Sequence, residues 1–153
     1  MQIVIFELMD YTIRKAGESD FQGLERLWRS QGIYSAPWDN VAHLPRKLEY
    51  QPDLMPVAAR NNHLNGAVTG TFDRWAATVN HWAVAAGDDA GKIREALLRE
   101  IHKRLRKRGA RAVFAVAFPH GEEHAFLRSQ GYREWGLSVG LEKSLSPTDR
   151  TAA

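Results

Sequence analysis

The chain contains no cysteine. Disulfide frameworks, thiolate zinc sites and cysteine nucleophiles are excluded together, and a reducing, cytoplasmic setting is expected. It also lacks a long apolar run. Ile3-Val4-Ile5-Phe6-Glu7-Leu8 is apolar but short and has no cationic lead. A membrane span needs about 20 apolar residues, and a secretory leader needs a basic flank. Residues 1–10 are therefore expected to be an N-terminal extension or extra strand, with Met9 as an alternative start, and no membrane association is expected. Charge of one sign is scarce too: the formal net charge is +3, so no whole-molecule field calls for nucleic acid. There is no G-x-x-x-x-G-K. Of the six histidines, His120 and His124 are four apart beside Glu123, but no third ligand has metal-site spacing, so no metal is expected.

What is present fits one domain. The 153 residues are 44% hydrophobic and 25% charged, and a chain of this size buries roughly 68–70% of its unfolded surface. With no repeat or low-complexity linker, residues 11–145 are expected to form a single domain and 146–153 a flexible tail.

The expected elements follow from pattern. Tyr11 to Lys15 alternates as a strand, and Ser19 with Gln22 forms a capping-box pair ahead of a helix bearing Phe21, Leu24, Leu27 and Trp28 on one face. Ile33 to Asn40 reads as a loop, and a short helix is expected from about Pro45 to Tyr50. Strands follow at Leu54 to Arg60, Ala67 to Asp73 and Thr78 to Val84, with Asn61 to Gly66 as a turn. Ile93, Leu97, Ile101 and Leu105 recur every four residues, so Ala90 to Arg108 is an amphipathic helix stopped by Gly109. The apolar run Arg111 to Phe118 is expected as a strand buried on both faces, Glu122 to Gln130 as a helix, and Tyr132 to Leu145 as one or two last strands. The order implies an α/β (α+β) domain with a mixed sheet and flanking helices.

Several strings in this order resemble the GNAT superfamily of N-acetyltransferases, and within it the small bacterial YpeA-like proteins. They are Tyr11-Thr12-Ile13-Arg14 with Asp20-Phe21, then Leu27-Trp28, Pro37-Trp38-Asp39, Arg46-Lys47-Leu48 and Gln51-Pro52-Asp53-Leu54. Val79-Asn80-His81-Trp82-Ala83-Val84 matches that family's fourth strand, Glu95-Ala96-Leu97-Leu98 its main helix, and Phe126 to Tyr132 its F-Y-E-K-x-G-F element. The resemblance implies a mostly antiparallel twisted sheet of about six to seven strands with about four helices. It also implies acetyl-CoA as co-substrate and a primary amine of a small molecule or peptide as acceptor. Trp82 and Val84 would meet the pantetheine arm. The pyrophosphate would sit at Gly91, Lys92, Ile93, Arg94 and Glu95, where free amides and the helix dipole attract anions, and His120 would contact the cofactor.

The chain departs from the family pattern at three places. The cofactor loop Q/R-x-x-G-x-G/A keeps at most Gly91, and Asp88 or Asp89 could cap the helix in place of the pyrophosphate. Lys92 and Arg94 offer compensating cations. The tyrosine that would protonate the leaving thiolate is replaced by Leu127, leaving Tyr132 as the nearby phenol. The base positions of the fourth strand fall on Thr78 and Asn80. His81 has the better chemistry, since an imidazole titrates close to neutrality, but strict alternation sets it on the opposite face from Asn80.

Further candidates are Trp38, Asp73 and Trp75 in loops, each able to meet an acceptor, with Asp73 equally a turn residue and the tryptophans equally caps on the core. The basic stretch Lys103 to Arg111 reads as a solvated helix end favoured by the dipole, or as a patch for an acidic partner, with nucleic acid disfavoured. A homodimer is compatible with the sequence. The function expected is acetyl transfer to an amine. The alternative is a degenerate member of the same fold that binds a ligand or partner without turnover.

Overall fold

The computed structural model describes residues 10–40, 42–136, 139–143 and 145. The chain divides into two compact units, Met1–Val116 and Ala117–Ala153. The N-terminal extension and the tail expected at the two ends fall largely outside the described residues.

The first unit is built on one sheet of order β1-β2-β3-β4-β5: β1 Thr12–Lys15, β2 Pro56–Arg60, β3 His63–Phe72, β4 Ala77–Val84 and β5 Phe114–Ala115. The first four strands pair antiparallel, and β4 pairs with β5 in parallel. Helices α1 Phe21–Ser30, α2 Ala36–Asp39, α3 Leu44–Tyr50 and α4 Ala90–Lys107 complete it. Asn61 and Asn62 both have positive φ, 49° and 63°, as a two-residue hairpin turn requires. The expected six-residue turn is therefore only these two residues, and β3 is correspondingly longer.

Two layers cover the sheet. Phe21, Leu24, Leu27 and Trp28 of α1 bury against Val57, Ala67 and Ala83. On the other face, Ile93, Leu97, Ile101 and Leu105 of α4 are buried. They approach closely because β3 carries glycines beneath them. A Cβ on Gly66 would lie 2.8 Å from Leu97 Cδ1 and 2.9 Å from Ile93 Cγ2, and one on Gly70 would lie 2.8 Å from Ile101 Cδ1. At the end of α4, Arg104 bonds Glu100 and the carbonyl of Asp53, and Arg108 forks onto the Asp53 carboxylate. Gly109 stops the helix at φ 99°.

Four expectations change. Ser19 is not the cap of α1. Asp20 instead accepts the amide of Gly17 at 2.8 Å and two hydrogen bonds from Arg14. The expected loop Ile33 to Asn40 contains the single helical turn α2, which Pro37 opens at an early position. The expected two-face-buried strand Arg111 to Phe118 shrinks to two residues. Phe114, Val116 and Phe118 are exposed rather than buried. Among the described residues the sheet has five strands rather than six or seven, and those between Tyr132 and Leu145 form none.

In the second unit α5, Glu122–Ser129, buries Leu127 and is closed by Gly131 at φ 89°. His124 Nε2 and Arg128 both reach Glu134 Oε1, at 3.0 and 2.9 Å. Among the described residues, no helix is long and apolar enough to cross a membrane, and no cluster of potential metal ligands occurs.

Candidate functional site

The site grows from an irregularity in β4. Ala67 pairs with Ala83, but Thr69 pairs with Asn80, so β3 advances two residues while β4 advances three. One residue of β4 is therefore extra, a bulge that re-aims its side chain. His81 carries the strain at φ 47°, a conformation histidine tolerates better than most residues. Alternation consequently fails. Across the bulge His81 turns to the side of α1 and stands beside Asn80, with Nδ1 at 3.3 Å from Asn80 Oδ1. Its ring meets Trp28 edge-on, centroids 5.2 Å apart. Its Nε2 lies 2.8 and 2.9 Å from the two carboxylate oxygens of Asp39.

Asp39 itself is buried, its side chain 6% exposed. Oδ2 also accepts the amide of Ser35 at 2.6 Å, which returns the last residue of α2 to the turn's own start. The carboxylate is thus held by backbone on one side and imidazole on the other. Sequence reading missed Asp39 as a functional residue. Its signal was faint: a one-turn helix has no periodicity, although Pro37-Trp38-Asp39 was already a recognised string.

Just past the bulge the sheet opens. β4 pairs with β5 only at Thr78↔Phe114 and Val79↔Ala115, yet β4 continues to Val84. The strands part where Asn80 and His81 begin. Val84 pairs with Gly66 on the β3 side and is buried, and Trp82 is half-buried.

From that opening the chain turns through Gly87 into α4. Asp89 stands at the N-cap position, but its side chain makes no capping hydrogen bond. It lies instead 3.9 Å from the ammonium of Lys92. The aspartate-capped end weighed from sequence is therefore not formed. The Ala90 amide bonds Gly87 O, and the Ile93 amide bonds Asp89 O at 2.9 Å. Ile93 is a core residue with its amide engaged, so it is not available to a phosphate as the sequence reading had it. Gly91 is exposed, and a Cβ there would meet nothing within 4 Å. Lys92 and Glu95 are exposed and Arg94 half-buried.

The remaining candidates belong to the β3–β4 hairpin, to α2 and to the second unit. Asp73 Oδ1 accepts the amides of Trp75 and Ala76 at 2.9 and 2.6 Å, which hold its carboxyl below the usual range. It serves as the turn residue of the β3–β4 hairpin, with Trp75 90% exposed at the tip. The side chain of Trp38 lies outside the described residues. In the second unit, His120 has φ 63° and donates its amide to His124 Nδ1 at 3.1 Å. Tyr132 is half-buried there, and burial pushes its phenol up to about 12.

No family model matches the sequence. An acetyltransferase of Pectobacterium atrosepticum is 31% identical over 98 residues, 63% of this chain and 69% of that protein. The fold is shared with Ard1 of Thermoplasma volcanium, TM-score 0.70 at 18% identity over 80% of this chain and 82% of that one. It is shared also with a ribosomal-protein-alanine N-acetyltransferase of Brucella melitensis, TM-score 0.64 at 24% identity over 81% and 85%. A PaiA N-acetyltransferase of Thermoplasma acidophilum, solved in complex with coenzyme A, matches at TM-score 0.65 and 18% identity over 80% and 89%. A bulged fourth strand parting from a parallel fifth, read beside this curated relative, makes the chain a member of the GNAT-type acetyltransferase family.

Proposed function

We propose that this protein transfers an acetyl group from acetyl-CoA to a primary amine of a small molecule or peptide, as a member of the YpeA-like subgroup. The observation that carries the reading is the parting of β4 from β5 next to a helix start that no side chain caps. The stretch of β4 past its pairing with β5 would present amide and carbonyl groups to an extended, amide-bearing arm, as strand addition does. The uncapped first turn of α4 favours a diphosphate through its amides and dipole.

The residues present fit that co-substrate. Gly91 leaves the backbone bare toward solvent, and Lys92 is exposed enough to swing from Asp89 to a phosphate. Asp88 and Asp89 oppose an anion and weaken the site relative to a glycine-rich loop. Acetyl-CoA supplies an activated thioester whose C–S bond breaks as the amine forms its N–C bond. The chain's contribution is to hold the two partners together, which removes much of the entropic barrier.

Calorimetric titration with acetyl-CoA tests the reading. A micromolar dissociation constant, about −8 kcal/mol, is expected. No heat at millimolar ligand would overturn it and leave the other reading, a fold retained for binding a different partner.

A further inference from the structure

We infer that His81 is the group that takes the proton from the acceptor amine, and that Asp39 is the positioning residue that makes it able to. The inference rests on the acetyl-transfer reading above but goes beyond it, since that reading needs no particular base. His81 sits at the first residues of β4 beyond its pairing with β5, the place at which an amine and a thioester would meet. The bulge brings its ring there, and Trp28 and Asp39 fix it.

The hydrogen bonds decide which nitrogen is basic. Both oxygens of Asp39 face Nε2. A carboxylate can only accept, so Nε2 carries the hydrogen and Nδ1 carries the lone pair. The Ser35 amide bonds the same carboxylate and prevents it from turning away. Nδ1 lies 3.3 Å from Asn80 Oδ1, which can bond it only once Nδ1 is protonated; the ionised Asp39, nearer and the stronger acceptor, holds the resting hydrogen on Nε2. A proton arriving on Nδ1 therefore finds an acceptor, and the imidazolium that results lies against a buried carboxylate. The proton balance is complete. An acceptor that arrives as the ammonium first sheds one proton to water; the neutral amine's lone pair then forms the bond to the acetyl carbon, its second proton passes to Nδ1, the C–S pair leaves on sulfur, and Nδ1 returns that proton to the thiolate.

The replacement Asp39→Asn is unusually informative. One amide oxygen is needed by the Ser35 N–H, so the amide NH2 would point at Nε2. It would donate there and force the hydrogen onto Nδ1. The pair would keep its shape and lose its base.

Nitrogen-15 NMR of the ligand-free protein reads the tautomer directly. The expected result is a hydrogen on Nε2 of His81 in the wild type and on Nδ1 in Asp39→Asn. A wild-type Nδ1–H tautomer would overturn the inference. With acetyl-CoA and a tripeptide bearing a free amino terminus as probe, His81→Gln should lower kcat about 100-fold. Asp39→Asn should lower it at least about tenfold, as loss of the correct tautomer does in hydrolytic triads. Acetyl-CoA affinity should stay within about twofold of wild type in both, since neither residue belongs to the α4 turn. The acid limb of the wild-type pH–rate profile should vanish in His81→Gln. Wild-type protein that binds no acetyl-CoA would sink the transferase reading and the base with it. Wild-type turnover with unchanged rate and pH profile in both variants would sink the His81–Asp39 role alone.

Discussion

Gln51 stands beside Phe72 as a strand would: its Nε2 donates to the Phe72 carbonyl at 2.6 Å, and its Oε1 accepts the Phe72 amide at 3.3 Å. β2 pairs with β3 only from His63 to Ala67, so among the described residues the far half of β3 has one edge without a strand, and the buried Gln51 side chain covers it. Gln51→Ala should cost about 1–3 kcal/mol, the penalty for buried backbone groups left unmade. The check is a lower urea midpoint at unchanged slope. Gln51→Glu should cost as much, because a carboxylate cannot donate to the Phe72 carbonyl.

Lys47 covers the same edge by donating to the carbonyl of Gly70. Burial first, and then the nearby Arg108 charge, lower its ammonium to about 8. The folded protein therefore sheds this proton earlier than the unfolded chain does. The cost of burying the charge is present in full below pH 8 and is relieved as pH rises toward ~10.4, the value of a free lysine. Stability of the wild type should thus rise relative to Lys47→Met across that window, by at most about 3 kcal/mol. Chemical denaturation at a series of pH values reads the difference in slope. Parallel curves would contradict it.

Asp20 gives a slope of the same sign at the acid end, but from a charge the fold stabilises. Burial alone would raise its carboxyl, but the two hydrogen bonds from Arg14 and the Gly17 amide outweigh that and hold it below the ordinary range. Its contribution is present above ~4, the value of a free aspartate, and is lost as pH falls through the lower folded value. Asp20→Asn should be less stable at pH 7, by about 1–3 kcal/mol, and should lose less on acidification. Thermal melts at neutral pH and in acid check both.

Glycines on the two ends of α4's contact with the sheet should respond with opposite signs. Gly66→Ala and Gly70→Ala force the side chains of Leu97, Ile93 and Ile101 aside and should each cost about 1–3 kcal/mol. Gly91→Ala meets nothing and should be neutral or stabilising by up to ~1 kcal/mol, as alanine is in a helix. Under the proposed function the same Gly91→Ala should weaken acetyl-CoA binding in calorimetry, because the new methyl would stand where the diphosphate is proposed to approach.

Much of the scaffold was legible. The four-residue recurrence of Ile93, Leu97, Ile101 and Leu105 fixed α4 to within a residue of its observed end, and the β2–β4 meander was read in the right order. Three features were not. A bulge is a property of cross-strand register, and Asn80-His81 announces it only through two residue types that tolerate positive φ. The one-turn α2 is too short to show a period, so Asp39 was quoted in a string without a role. The run Arg111 to Phe118 was read as buried because it is apolar, but burial needs neighbours on both sides, and composition does not count them.

The extra residue in β4 has a consequence for how freely this protein can change. Ala77 to Val79 are keyed to the hairpin, and Ala83 and Val84 are keyed to the packed layers on either face of β3. Between them the strand slips by one, so that neither end dictates how the middle must face. Asn80 and His81 occupy that slack, so their side chains can be exchanged while both halves of the core stay in step.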